Sequence, residues 1–190
     1  MKKLCYVFLM MAAAMLSATG CRQTPQQVEA DTLADTLRMD TTFIEDVDST
    51  QYGVCGEGSA MHTLELITDG GDTLYYAFQV EDDTDVQGGM MSGDRMAVMG
   101  RSTQEGLVAT RIINLTTLLG KWTSLDKNFE IVEGGLVNSS VEAESNPWVS
   151  WKILNGRLLL NTDTFDVVSL GADSLYLENQ NGIFVYKRAL

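Results

Sequence analysis

The stretch "WKILNGRLLL", from Trp151 to Leu160, decides the fold because it specifies a β-hairpin together with its register. Asn155-Gly156 separates two apolar runs, and this pair is typical of a two-residue type I′ turn, in which both central residues need a positive φ. The turn places Leu154 opposite Arg157 and leaves successive side chains on alternate faces. The face predicted to point inward carries Val149, Trp151, Ile153, Leu158 and Leu160, and Leu175 and Leu177 continue it in a later strand.

Similar short β-runs, separated by glycine-bearing turns, occupy the chain from residue 51 onward. Residues 115–190 contain eight of them, at 119–125, 128–133, 136–143, 148–154, 157–161, 164–170, 174–179 and 182–188. Residues 51–114 contain five, at 52–56, 61–68, 73–80, 94–100 and 107–114. This turn spacing predicts an all-β fold of two small antiparallel β-barrels in tandem, with five strands in 51–114 and eight in 115–190.

Gly120-x-Trp122 stands at the head of the eight-stranded series, and Arg188 lies in its last strand. This combination resembles the signature of the lipocalins, in which the Trp closes one end of the barrel and an Arg packs across it. The resemblance covers about 75 residues and is strongest to the lipocalin-like domains of lipoproteins from Bacteroides-type bacteria. It implies an up-and-down eight-stranded barrel with Arg188 stacked on Trp122, a cation–π contact of roughly 1 kcal/mol. The five-stranded piece resembles an OB-like barrel.

An eight-stranded barrel has an interior that is filled by side chains or holds one small ligand. The residues expected to line the barrel or bind a ligand are Trp122, Trp151, Ile153, Leu158, Leu160, Leu175, Leu177, Phe184, Tyr186 and Arg188. Trp148 is predicted on the opposite face from Trp151, where it would either stack on sugar rings as an exposed aromatic or, as we favour, pack against the first barrel. The leading hypothesis is a non-catalytic binding module for a small apolar ligand or an envelope protein partner. Its site would be the mouth of the second barrel, the groove between barrels or an exposed aromatic patch.

The first 20 residues have the features of a secretory leader, with Lys2 and Lys3 before an apolar run. Ala18-Thr19-Gly20-Cys21 resembles a bacterial lipobox, which implies acylation of Cys21 and attachment to a membrane through that lipid. Arg22 stands where an inner-membrane retention signal would place Asp, so we expect attachment to the outer membrane. Cys55 is then left without an intramolecular disulfide partner and is predicted to be buried.

Residues 21–50 are acidic and poor in apolar side chains, which is typical of a flexible tether. Loss of the leader removes Lys2 and Lys3 and changes the formal charge from −13 to −15. A chain of this charge is not expected to bind nucleic acid, whose phosphates are contacted by Lys and Arg.

The sequence offers no catalytic constellation and implies no cofactor. His62, the single histidine, has no neighbouring nucleophile motif, so we expect no enzymatic activity. The alternative hypothesis is an envelope-stress sensor or metal-handling lipoprotein, because thioethers bind Cu(I). Its candidate ligands are Met90, Met91, Met96, Met99 and His62. A tandem of OB-like and lipocalin-like barrels is similar to the NlpE family of copper-linked lipoproteins, although that family has the reverse domain order and a Cys-x-x-Cys that this chain lacks.

Overall fold

The structure is a computed structural model that describes residues 47–78, 84–139 and 146–189. The predicted leader, Cys21 and nearly all of the predicted tether lie outside these residues. The described strands are β1 (Gln51–Cys55), β2 (Thr63–Thr68), β3 (Thr73–Ala77), β4 (Asp85–Gln87), β5 (Arg95–Thr103), β6 (Gly106–Asn114), β7 (Gly120–Thr123), β8 (Asn128–Val132), β9 (Leu136–Ser139), β10 (Trp151–Leu154), β11 (Arg157–Leu160), β12 (Asp163–Leu170), β13 (Ser174–Asn179) and β14 (Gly182–Arg188), and one short helix, α1 (Leu115–Leu118), precedes β7. Within these ranges no helix has the length and apolar character needed to cross a membrane.

Five strands close the first barrel in the order β3-β2-β1-β5-β6, with β3 returning to β6. The closing pair is parallel and joins Tyr76 to Leu107, whereas the other pairs of the ring are antiparallel. This is the Greek-key connectivity of an OB-like barrel and confirms the predicted fold class. The short β4 adds to the outer edge of β6 and was not among the five predicted strands. The interior contains Leu64, Leu66, Met96, Ile112 and the predicted buried thiol of Cys55.

The second barrel has the order β10-β11-β12-β13-β14-β7-β8-β9, which is an up-and-down meander whose last strand, β14, pairs with its first strand, β7. It is nearly closed between β9 and β10. There, a single bridge joins Leu136 to Ser150, and backbone hydrogen bonds run from Val137 N–H to Val149 C=O and from Trp151 N–H to Gly135 C=O. The predicted all-β fold with eight strands is therefore confirmed. The far end of the predicted strand 136–143 lies outside the described residues.

The hairpin that decides the fold has the predicted turn and register. Asn155 and Gly156 have φ values of 49° and 71°, as a type I′ turn requires. Leu154 pairs with Arg157 and Ile153 with Leu158. Arg157 also forms a two-pronged ion pair with Asp166 on the neighbouring strand β12.

The prediction for the residues before this hairpin was wrong. Trp148, expected on the outer face and packed against the first barrel, is 5% exposed inside the second barrel, and Val149, expected inside, is 58% exposed. The physical reason is that β10 begins at Trp151, so the two-residue alternation does not extend back to residue 148. The Asn161 side chain instead accepts hydrogen bonds from the backbone N–H groups of Val149 and Ser150 and holds this segment in a non-strand conformation.

The two barrels belong to one compact unit and share part of their interior. Ala97 and Ile113 lie on strands of the first barrel, yet their side chains are buried in the core cluster of the second. Polar contacts add to this apolar contact: Tyr52 Oη donates to Ile153 C=O at 2.6 Å, and Leu170 N–H donates to Gln87 Oε1 at 2.9 Å. Each barrel therefore buries apolar side chains of the other that would be exposed to water if the two barrels were separate.

Candidate functional site

One end of the second barrel is sealed by the residues that suggested a lipocalin-like barrel. The guanidinium carbon of Arg188 lies 4.2 Å from the centroid of the Trp122 ring, and Trp122 is 1% exposed. The indole N–H donates to Leu118 C=O at 2.9 Å, which satisfies this buried donor. Gly120 is needed because its φ is +123° and a Cβ there would lie 2.5 Å from Arg188 Nη1.

Arg188 also satisfies backbone carbonyls at the end of the short helix α1 and in the β12–β13 connection. Its Nη1 donates to Leu119 C=O at 2.8 Å, Nη2 donates to Thr117 C=O, and Nε donates to Ala172 C=O. Burial lowers the pKa of the Arg188 guanidinium from its ordinary value. The side chain therefore links α1, the β12–β13 connection and the last strand at one point.

The connections of the second barrel alternate between its two ends, as the up-and-down order requires. The sealed end carries the connections 133–135, 155–156 and 171–173. This end faces the first barrel: Asn155 accepts hydrogen bonds from Ser49, which lies just before β1. The connections 124–127, 161–162 and 180–181 lie at the opposite end, which we call the mouth. A cavity is found at each end.

The groove is the cavity between the two barrels at the sealed end, with a volume of about 540 Å³. Its apolar walls are formed by Tyr52, Leu115, Leu119, Trp151 and Ile153, and its remaining lining by Arg95, Glu133, Gly134, Gly135 and Lys152. Gly134 and Gly135 have φ values of +80° and +82°, and a Cβ on Gly135 would lie 3.1 Å from Trp151 C=O. The double glycine therefore lets the β8–β9 turn pass beside the edge of β10.

The polar groups of the groove walls are held in place by hydrogen bonds. Trp151 Nε1 donates to Val132 C=O at 2.7 Å, so the indole presents its carbon framework to the cavity. Burial, assisted by the nearby carboxylate of Asp48, raises the pKa of Tyr52 to about 12, so its hydroxyl stays protonated and keeps donating to Ile153. Arg95 at the rim is engaged in an ion pair with Asp69. The groove is thus an apolar cleft with charges confined to its rim.

The mouth contains the second cavity, of about 600 Å³. Its aromatic floor consists of Trp148, Phe165, Phe184 and Tyr186. Its polar rim consists of Ser124, Asp126, Lys127, Asn146, Asp163, Asn179 and Asn181, with Leu125, Ile183 and Val185 beside them. The floor belongs to the barrel core, whereas the rim comes chiefly from the connections.

Edge-to-face contacts fix the rings of the mouth. The Trp148 ring lies 5.1 Å from Phe129 and 5.7 Å from Phe165, and Phe165 lies 5.9 Å from Phe184. Lys127 Nζ lies 3.7 Å from the centroid of the Trp148 ring, a cation–π contact at the rim. Trp148 Nε1 donates to Asp163 Oδ2 at 3.4 Å. The rings of the aromatic floor therefore pack edge to face on one another and are linked to the polar rim.

The predicted lining residues lie in four places. Seven are buried in the core of the second barrel, namely Trp122, Ile153, Leu158, Leu160, Leu175, Leu177 and Tyr186. Trp151 is half-buried at the groove, Phe184 is half-buried at the mouth, and Arg188 lies at the seal. Sequence reasoning missed Tyr52 and Leu119 at the groove and the asparagines at the mouth. No local periodicity marks these residues, because the groove joins residues far apart in the chain and asparagine is also a common turn residue.

The methionines of the metal hypothesis do not share one environment. Met96 is fully buried inside the first barrel, and Met91 is 72% exposed. Met99 lies on the opposite face of β5 from Met96 and accepts a hydrogen bond from Thr50 Oγ1 at 3.5 Å, and His62 is exposed. Among the residues that the structure describes, no three His, Cys, Asp or Glu side chains are grouped so as to hold a metal ion.

Comparison with known proteins gives no match to a family model, to a curated protein or to a solved structure.

Proposed function

We propose that this chain is a non-catalytic binding module in which the groove between the two barrels takes a small apolar ligand. One observation carries the proposal. Four hydrophobic side chains pack on the large core of the second barrel but are only partly buried, and three of them, Tyr52, Leu119 and Trp151, converge on the groove.

The convergence supports a ligand because exposed apolar surface is unfavourable in water. Each Å² of apolar area that a ligand covers contributes about 25 cal/mol. The groove volume of about 540 Å³ lies in the usual range for small-molecule sites, roughly 300–1,000 Å³. Its walls are also preorganised, since hydrogen bonds hold both Tyr52 and Trp151, so binding costs little side-chain entropy.

The proposed address is the outer membrane, by way of an acylated Cys21 and the acidic tether of residues 21–50. The eight-stranded barrel, sealed by an indole and a guanidinium, supports membership of the lipocalin-like lipoproteins. Labelled palmitate should enter the wild-type chain and be lost in Cys21→Ser. Incorporation that persists in Cys21→Ser would contradict the lipid anchor.

The ligand proposal is tested with the full-length chain purified from cells that produce it naturally. Mass spectrometry of a solvent extract should identify one apolar small molecule in near-stoichiometric amount. Trp151→Ala should lose this molecule, because it removes a wall of the groove. Tyr75→Ala is the matched control, since Tyr75 is a 57% exposed aromatic residue on an outer strand face of the first barrel. A molecule retained by Trp151→Ala, or none in either sample, would count against the groove.

An envelope protein partner is a second candidate, favoured by an apolar patch on the outer face of β12, β13 and β14. Val168, Tyr176, Ile183 and Val185 are each between 37% and 59% exposed, and Tyr176 lies directly opposite Val185. A photo-crosslinking residue at position 176 should then yield one defined adduct in intact cells. The same residue at position 130, on the outer face of β8, should yield none.

A further inference from the structure

We infer that the mouth of the second barrel is a separate binding site, and that its ligand is a neutral oligosaccharide. This inference does not depend on the groove, which lies at the other end of the same barrel. It starts from the composition of the mouth cavity, where a rim of amides and carboxylates surrounds an aromatic floor.

The rim matches the hydrogen-bonding pattern of sugar hydroxyls. A hydroxyl group both donates and accepts, and so does the side-chain amide of asparagine, of which the rim has three: Asn146, Asn179 and Asn181. The carboxylates of Asp126 and Asp163 add acceptors. Two of these groups are held in place, because Asn181 N–H donates to Asn179 Oδ1 at 2.8 Å and Trp148 donates to Asp163.

The floor matches the carbon face of a sugar ring. The C–H bonds of that face are polarised with positive hydrogen, and the face of an aromatic ring is negative. Phe184 is half-buried and lines the cavity, so part of its ring is available for such a contact. The edge-to-face contact with Phe165 holds the ring, so little conformational freedom is lost on binding.

Other ligand classes fit the mouth less well. A purely apolar ligand would take three amides and two carboxylates out of water without replacing their hydrogen bonds, which is unfavourable for every one of them. Among the rim residues that the structure describes, an anionic ligand would meet the carboxylates of Asp126 and Asp163 against the ammonium of Lys127, in a chain of formal charge −13. A neutral molecule with many hydroxyl groups avoids both costs.

The test is a neutral-oligosaccharide array probed with the full-length chain, followed by titration calorimetry of the strongest binder. The double variant Asn146→Ala, Asn181→Ala should bind that glycan about tenfold more weakly or worse, since two rim hydrogen bonds are lost. Both side chains are exposed, so the variant should fold normally. Asn138→Ala, an exposed asparagine on the outer face of β9, is the matched control and should bind as the wild type does.

Two results would overturn the inference: binding of no neutral glycan on the array, or a glycan affinity that the double variant leaves unchanged. Trp151→Ala should keep the glycan affinity of the wild type, because it alters the other end of the barrel. A chain that loses its apolar molecule in Trp151→Ala but binds no glycan would leave the groove proposal standing and the mouth inference refuted. The reverse pattern would refute the groove and support the mouth.

Discussion

Arg188 covers the indole of Trp122 and closes the second barrel at the end that faces the first. The guanidinium stands 4.2 Å above the ring and donates to three backbone carbonyls. A planar, five-donor group is needed here, because an ammonium presents its charge at one point and does not span separate acceptors.

Replacement of Arg188 should therefore destabilise the chain. Arg188→Ala should lower the free energy of unfolding by about 2–4 kcal/mol, since charge-assisted hydrogen bonds and a cation–π contact are lost together. Arg188→Lys should recover less than half of this loss. Urea denaturation measures the effect, and Arg101→Ala, at an exposed arginine of the first barrel, is the control. An Arg188→Ala chain as stable as the Arg101→Ala chain would contradict the role of the seal.

Gly120 and Gly182 form a matched pair that separates steric conflict from backbone strain. Both have a φ near +125°, at +123° and +128°, where an alanine is strained by about 1–3 kcal/mol. A Cβ at position 182 would meet open space, but a Cβ at position 120 would displace Arg188 Nη1. Gly120→Ala should thus lower the free energy of unfolding by at least about 1 kcal/mol more than Gly182→Ala. Equal losses in thermal denaturation would refute the steric part.

Tyr52 should make stability depend on pH in the alkaline range. Its pKa is raised to about 12 in the folded chain, against about 10 in an unfolded chain. The folded chain therefore binds the phenol proton more tightly, and the contribution is complete below pH 10 and is lost as the pH rises toward 12. The pKa values of Tyr75 and Tyr76 are also raised. The wild type is therefore compared with Tyr52→Phe, in which Tyr75 and Tyr76 are unchanged, so that the difference reports on Tyr52 alone. Denaturation at pH 9, 10 and 11 should show a smaller decline for Tyr52→Phe; identical slopes would exclude Tyr52 as the source.

The two barrels should unfold in one cooperative transition, because side chains of β5 and β6 complete the core of the second barrel. Arg111 adds a polar link between them. It donates to Val167 C=O at 2.6 Å and lies between the carboxylates of Asp85 and Asp166, at 3.3 Å and 3.7 Å. Arg111→Leu should lower the free energy of unfolding by about 1–3 kcal/mol.

In the Arg111→Leu variant, Asp166 keeps its ion pair with Arg157, so the substitution does not leave this carboxylate without a cation. Calorimetry should show one heat-absorption peak for the wild type and for Arg101→Leu, the exposed control. Two separate peaks in the wild type would contradict the shared core.

Much of this fold could be predicted because its turns are local. Asn155-Gly156 determines the pairing of its two strands without reference to distant residues, and the alternation from Trp151 to Leu160 then follows. Trp148 could not be placed in the same way. Its position depends on Asn161, which binds the backbone of the neighbouring segment from beyond the next strand.

The sequence could suggest a site between the two barrels, but it could not predict which residues line the groove. Tyr52 and Ile153 are 101 residues apart, and no pattern along the chain predicts their hydrogen bond. At the mouth, Asn179 and Asn181 occupy positions where a turn alone would account for asparagine. The cavity that they line forms only in the folded barrel, where the connections 124–127 and 180–181 lie at the same end.

The sealed end of the second barrel contacts the first barrel and the mouth lies opposite, and this difference between the two ends matters when a label is inserted into the chain. An affinity peptide or fluorescent label introduced between the exposed residues Gln180 and Asn181 leaves the contact between the barrels intact, although it alters the rim of the mouth and so suits only experiments that do not measure glycan binding. The same insertion at Asn155-Gly156 would push against Met99 and Arg111, since a single added methyl group at Gly156 already lies within 3.1 Å of both side chains. Reporter positions should therefore be chosen at the end remote from the neighbouring barrel.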